Sequence, residues 1–256
     1  MRRALIGYSG FVGSNLDRQL TFTHRYNSKN IQDIEGETFD EIVCAGVQAV
    51  KWWANSNPEE DWAGIDSLLK MLDTVNADHF TLISTVDVYK TPVGVDENTS
   101  ITTDGLHPYG LHRWRVEEWI RSRYSNALIL RLPGLYGRGL KKNLIYDVLT
   151  GGDLSGFDAR SRFQFYSLDR LAEDLKIART SELTLLNIAV EPVSVADVVR
   201  RIKHEPFANK TIDNQPLSYD MKTINSLHWD RSGNYLATSE QCLDQIAAFA
   251  QHWYPE

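Results

Sequence analysis

Short apolar runs recur along the chain, each separated from the next by room for a helix. Arg3–Gly7, Thr23–Tyr26, Glu41–Ala45, Phe80–Thr85, Ala127–Leu132 and Leu185–Ile188 read as strands. Helical spacing of apolar positions covers Phe11–Leu20, Pro58–Val75, Tyr109–Tyr124 and Leu140–Leu149. Such alternation implies βαβ units, a parallel sheet and, with right-handed crossovers, a doubly wound α/β fold. Local signals mark several helix starts. Asn57 is expected to cap the helix opening at Pro58, with Glu59, Glu60 and Asp61 against its positive end. Ser194 reads as the cap of a helix running to Ile202. Thr238-Ser239-Glu240-Gln241 opens a last helix with Leu243, Ile246, Phe249 and Trp253 on one side. The stretch Gly151–Arg162 is polar, and residues 203–235 carry little periodicity.

The first strand runs straight into Gly7-Tyr8-Ser9-Gly10-Phe11-Val12-Gly13 and then a helical segment. Strand, glycine turn and helix in this order suit a dinucleotide. Backbone without Cβ atoms approaches a pyrophosphate closely, and the N–H groups opening the helix favour negative charge. The spacing is G-x-x-G-x-x-G, and its place after an N-terminal strand gives it weight. Gly7, Ser9, Gly10, Phe11, Val12 and Gly13 are therefore candidate cofactor contacts. The expected layout is a Rossmann-type dinucleotide-binding domain over residues 1–150. Residues 151–256 would form mainly a small substrate-binding cap, with some segments returning to the sheet.

Bulk properties narrow the class. A chain of 256 residues is long enough for a sizeable core. A net charge of −7 argues against a nucleic-acid partner, which needs a basic face. No apolar stretch reaches the length of a membrane span, and the opening strand leaves no room for a signal peptide. The two cysteines, Cys44 and Cys242, are far apart, and neither they nor the seven histidines show metal-ligand spacing. A protein without metal, in a reducing cytoplasmic compartment, is expected.

Three further segments carry candidate chemistry: Leu82-Ile83-Ser84-Thr85-Val86-Asp87-Val88-Tyr89, Tyr109-Gly110-Leu111-His112-Arg113 and Arg131-Leu132-Pro133-Gly134-Leu135-Tyr136-Gly137. In order and spacing they resemble the extended short-chain dehydrogenase/reductase family, the NAD-dependent epimerase/dehydratase type. That family has a hydroxyl residue before a V-Y pair, then Y-x-x-x-K, then an R-P-x-x-x-Y-G strand end. Val47-Gln48-Ala49-Val50-Lys51 with Ser56-Asn57-Pro58-Glu59 resembles the matching loop of dTDP-4-dehydrorhamnose reductases. Phe163–Ala172 resembles the family's F-x-x-V-x-D-x-A segment.

The resemblance implies a hydride moving between a sugar carbon and a nicotinamide while a proton moves on the oxygen. Tyr109 would be the acid or base, and Thr85 would bind the reacting oxygen. A free phenol titrates near 10, roughly, so a nearby cation is needed to lower it. The family's lysine is replaced here by Arg113, which keeps the charge in a larger, planar fork. That departure leaves two readings open: a working oxidoreductase or epimerase, or a non-catalytic NAD(P)-binding sensor. The dehydratase acid is missing, because Val86 stands at its position. Asp87 is then either a lone base or substrate contact, or a turn residue bonding nearby N–H groups. Asp33 and Ile34 resemble the adenine-edge contact, Ala45, Gly46 and Val47 would pass under the pyrophosphate, and Pro133 and Leu135 would flank the nicotinamide.

The end of the second strand decides the cofactor. It carries no carboxylate for a ribose 2′-hydroxyl, while Lys29, Ser28 or Arg25 would take a 2′-phosphate, with Asn27 a further cofactor contact, so NADP is expected over NAD. Trp52 reads either as part of a substrate-facing wall or as a packing residue. Arg162 would meet a diphosphate or sit in a solvated loop. A homodimer is implied by the resemblance, through the helices from Pro58 and Tyr109.

Overall fold

The computed structural model describes residues 1–211 and 215–253. In chain order, β1 (Arg3–Ile6), α1 (Phe11–Gln19), β2 (His24–Tyr26), β3 (Thr38–Cys44), α2 (Lys51–Ser56), α3 (Pro58–Asp73) and β4 (Asn76–Thr85) come first. Then follow β5 (Val93–Val95), α4 (Pro108–Arg123), β6 (Ala127–Leu132), β7 (Gly134–Tyr136), α5 (Leu144–Thr150), β8 (Arg162–Phe163) and β9 (Phe165–Ser167). The chain closes with α6 (Leu171–Thr180), β10 (Leu185–Asn187), β11 (Val193–Ser194), α7 (Val195–Lys203), β12 (Asp220–Met221) and α8 (Ser239–Gln251). A six-stranded sheet has the order β10-β6-β4-β3-β1-β2, with β2, β1, β3 and β4 paired in parallel. The expected α/β class and doubly wound sheet are what the chain forms.

Two compact units divide the chain. The first is built from Met1–Thr91, Thr99–Arg131 and Ala172–Leu186. The second takes Pro92–Asn98, Leu132–Leu171 and the described part of Asn187–Glu256. In the first, Ile6, Ile42, Phe80 and Leu82 of the strands pack with Ile65 and Leu72 of α3 and with Val116 and Ile120 of α4. In the second, buried Gln164 ties three segments: its amide donates to the carbonyls of Val190 and Met221, and its oxygen accepts from the Met221 N–H at 2.8 Å. Glu97 similarly collects the N–H groups of Asn187 and Ile224 and the Thr223 hydroxyl. Among the described residues, no helix is long and apolar enough to cross a membrane.

Several boundaries differ from the sequence expectation, each for a local reason. β3 and β4 begin earlier than their apolar runs, at Thr38 and Asn76, because polar positions there still pair through backbone. Asn57 holds the cap position of α3 as expected but makes no side-chain cap bond: its amide donates instead to the Trp53 carbonyl at 2.9 Å and closes α2, a helix the sequence did not suggest. α5 starts at Leu144 rather than Leu140, because the Asn143 side chain accepts the Tyr146 N–H at 3.1 Å and sets the first turn there. Ser194 and Thr238 cap α7 and α8 as expected, Thr238 with a full capping box from Gln241.

α4 is anchored by charge. Its buried stripe includes Tyr109, His112, Arg113, Val116, Glu117 and Ile120. Glu117 accepts two bonds from the Arg131 fork of β6 (Nε–Oε1 3.0 Å, Nη2–Oε2 2.6 Å) and one from the Ser84 hydroxyl at 2.5 Å. Arg131 also donates to the Tyr89 hydroxyl at 2.7 Å. Removing one partner of a buried pair leaves the other charge uncompensated. Glu117→Gln is therefore expected to cost about 3–5 kcal/mol in urea denaturation. Glu118→Gln, whose side chain is 54% exposed, should stay within about 0.5 kcal/mol.

Candidate active site

The glycine turn lies where the strand order reverses, between β1 and β3, the place where open α/β sheets bind ligands. Gly7 has a positive φ of 81°, and a Cβ there would overlap the Ala45 carbonyl. A Cβ on Gly13 would overlap the Gly7 carbonyl, and one on Gly46 would come within 2.8 Å of the Ile6 side chain. The three glycines thus let two chain passes and a helix start meet without side chains between them. α1 opens at Gly10 with no side-chain cap and no acidic residue in its first turn. Its first N–H groups and positive dipole end suit an anion. Asn27 reaches Ser9 across this turn, its amide to the hydroxyl at 3.4 Å. Beyond β2, Ser28 and Lys29 are exposed, Asp33 is exposed and Ile34 is fully buried.

Tyr109 stands in the first turn of α4, 7% exposed. Pro108 and the His107 cap start the helix: the His107 Nδ1 accepts the Gly110 N–H at 3.0 Å. That bond leaves the neutral ring's proton on the other nitrogen. Burial first, and then the positive charge of Lys51, hold this imidazole below its ordinary pKa. Asn55 of α2 accepts the Tyr109 N–H at 3.0 Å. Gly110 has no room for a Cβ, which would strike the Asp87 carbonyl. The helix start is therefore pressed against the turn that follows β4. Burial pushes the phenol above its ordinary value; Arg113, the nearby Thr85 hydroxyl and Lys51 pull it down, and Asp87 pushes it up. The net direction is upward, so at neutral pH Tyr109 is a proton donor.

Arg113 is 4% exposed and lies over the Tyr109 ring, its guanidinium carbon 4.1 Å from the centroid. Asp61 of α3 grips it at both ends (Nη1–Oδ2 2.5 Å, Nη2–Oδ1 2.8 Å), and Nη2 also donates to the Gln48 carbonyl. His112 adds a second contact to Asp61 at 2.7 Å. Burial would raise the Asp61 carboxyl, but the bonds from Arg113 and His112 outweigh it and hold it below the usual range. The Arg113 Nε is buried and has no hydrogen-bond partner. Asp87 is paired with Lys51 of α2, Nζ–Oδ1 2.7 Å, and its N–H donates to the Thr85 hydroxyl at 3.2 Å.

Thr85, Asp87, Tyr109 and Arg113 are thus brought together in the first unit, with Ala45, Gly46 and the glycine turn at the switch point of the same sheet. Val47 is half-buried at the edge of the core, and Trp52 is 68% exposed on α2. Pro133, Leu135 and Arg162 belong to the second unit. There, Pro133 is buried, the Leu135 carbonyl accepts from the Asn143 amide at 2.9 Å, and the exposed Arg162 donates to the Pro192 carbonyl at 2.7 Å. Sequence reasoning missed Lys51, Asn55 and Asp61. Asp61 was readable only as an acidic first-turn residue, because its partner lies 52 positions away.

The chain matches the model of the NAD dependent epimerase/dehydratase family over residues 22–150. It belongs to that family. No curated protein matches it in sequence. Its fold matches the NAD dependent NDP-hexosamine 5,6-dehydratase TunA, of tunicamycin biosynthesis, with TM-score 0.74 and 18% identity over 99% of each chain. It also matches RMD from Pseudomonas aeruginosa, solved with NADPH, with TM-score 0.73 and 16% identity over 98% of this chain and 99% of that one. A dTDP-4-dehydrorhamnose reductase from Clostridium acetobutylicum gives TM-score 0.71 and 13% identity over 98% of this chain and 100% of that one.

A lysine cannot engage both Asp61 oxygens and the Gln48 carbonyl from a planar fork. Arg113→Lys should lower thermal stability and should not raise turnover. Asp61→Asn should cost about 3–5 kcal/mol at neutral pH, because it strands a buried guanidinium. The Asp61 carboxyl is held low in the folded state, so its contribution is full above the unfolded value near 3.9, roughly, and fades as the pH falls through the lower folded value. Denaturation of Asp61→Asn and the parent should therefore converge under strongly acidic conditions.

Proposed function

We propose that this chain is an NAD(P)-dependent oxidoreductase or epimerase acting on a sugar-like or nucleotide-linked carbonyl or hydroxyl. The observation that carries the reading is the buried Tyr109 phenol, set beside Thr85 and roofed by Arg113. Family membership and the nucleotide-sugar enzymes among the fold neighbours support it. The cradle fits the cofactor: three crowded glycines and an uncapped, acid-free helix start favour a diphosphate. When bound, the nicotinamide supplies or accepts the hydride. Thr85 holds the reacting oxygen, and Tyr109 moves its proton. The buried Arg113 Nε is a donor in want of an acceptor, and a cofactor ribose hydroxyl is the group the family resemblance assigns to this residue. The raised phenol favours the reducing direction, in which Tyr109 donates to a carbonyl.

NADP is the favoured cofactor. Tyr26 ends β2 without a carboxylate beyond it, and Ser28 and Lys29 are exposed there. Arg25 is engaged with Asp17 at 2.7 Å and is a weaker candidate for a 2′-phosphate. Asp33 and Ile34 would edge the adenine, and Ala45 to Val47 would underlie the pyrophosphate. By the family resemblance, α3 and α4 would form the interface of a homodimer.

Thermal denaturation with saturating NADPH should show a larger rise in Tm than with NADH, since a ligand that binds only the folded state stabilises it. Tyr109→Phe should bind NADPH as the parent does and lose about 10²–10⁴-fold in reduction of a nucleotide-linked keto sugar. Because Asp61 occupies the charge of Arg113, a non-catalytic cofactor sensor is the second reading. It predicts the NADPH shift with no turnover of any nucleotide sugar in a panel.

A further inference from the structure

We propose that Lys51 is a positioning residue of the reaction: it holds the Asp87 carboxylate and balances its charge beside Tyr109. The proposal rests on the role given to Tyr109 above. It adds a residue that lies outside the Tyr109, Thr85 and Arg113 set.

The argument begins with what Arg113 cannot do. Both of its terminal nitrogens are committed to Asp61, and one also to Gln48, in a site 4% exposed. It gives Tyr109 a fixed field, already offset by a carboxylate at bonding distance. Asp87 supplies the opposing field. It lies two residues past Thr85, its N–H is bonded to the Thr85 hydroxyl, and its carbonyl is pressed against Gly110. Those contacts fix the root of the carboxylate next to the root of the phenol. A bare carboxylate there would keep the phenol protonated and would repel an oxyanion forming on a substrate.

Lys51 answers that charge. It is the first residue of α2, and its ammonium meets the Asp87 carboxylate at 2.7 Å, with side chains 40% and 16% exposed. The same helix grips α4, since Asn55 accepts the Tyr109 N–H. One short helix therefore positions both the phenol and the cation that cancels its neighbour. The charged and titratable groups around the phenol are few. Arg113 comes from its own helix, Asp87 from the turn after β4, Lys51 from α2 and His107 from the cap of α4, while Asp61 of α3 faces Arg113. His107 is held neutral, so the balance that a substitution can tilt is the one between Lys51 and Asp87.

The test compares the parent chain with Lys51→Met, Asp87→Asn, the double variant and Lys51→Arg. One readout needs no substrate: carbon-13 NMR of protein labelled at tyrosine Cζ, with the Tyr109 signal assigned through Tyr109→Phe. Lys51→Met should move the Tyr109 midpoint to higher pH and Asp87→Asn to lower pH, each by about tenfold in proton concentration. The double variant should return toward the parent, and Lys51→Arg should hold the parent's value. The pH profile of kcat/KM should move in the same order. Coincident midpoints in the parent and Lys51→Met, with only Tm lowered, would reduce Lys51 to a tether between α2 and β4 and overturn the proposal. So would a Tyr109 signal that stays untitrated in Asp87→Asn up to alkaline unfolding. If the midpoints follow the expected order while Tyr109→Phe turns over normally, the proposed role of Tyr109 fails and the charge balance stands.

Discussion

The site depends on two arginine–carboxylate pairs buried along one helix. α4 holds Arg113 against Asp61 of α3 and offers Glu117 to Arg131 of β6. Each fork is met by both oxygens of its carboxylate, a geometry that fixes direction as well as distance. Such pairs need not add to stability, because desolvation of two ions offsets much of their attraction. What they do here is leave α4 one way to sit. The Ser84 hydroxyl bound to Glu117 extends the same constraint to the residue before Thr85. The pairs thus fix both the helix that carries Tyr109 and the strand end that carries Thr85.

Around that lattice the backbone is trimmed where passes must cross. Gly7, Gly13 and Gly46 meet at the reversal of strand order, and Gly110 meets the Asp87 carbonyl at the start of α4. These are two separate demands for missing side chains, one at the glycine turn and one beside the phenol. Electrostatics then separates the two regions. The glycine turn faces an uncapped helix start, whereas Tyr109 sits among paired charges that nearly cancel. Burial outweighs these charges and raises the phenol above its ordinary value.

Much of this was legible in the chain. Apolar runs located the sheet strands, since a strand buried on both faces cannot hide its composition. Gly7, Gly10 and Gly13 marked their turn by spacing. Tyr109 and Thr85 were recognisable through family resemblance rather than pattern. Less visible was everything that depends on pairing across the sequence. Apolar spacing found α4, but it does not show that His112, Arg113 and Glu117 lie on the buried stripe. Asp61 reads like any acid in a first turn until Arg113 is folded onto it. α2 went unseen because six residues hold too little periodicity, and with it went Lys51 and Asn55. Asn57 marked the start of α3 correctly, while its amide serves the end of α2.

The central claim is that the glycine turn and the phenol serve one bound dinucleotide. The most direct measurement is a crystal structure of the chain with NADPH. The account predicts the diphosphate over Gly7–Gly13 and the nicotinamide beside the Tyr109 hydroxyl, with the Arg113 and Asp61 pair intact. A cofactor bound elsewhere, or a Tyr109 hydroxyl turned from the nicotinamide, would contradict it.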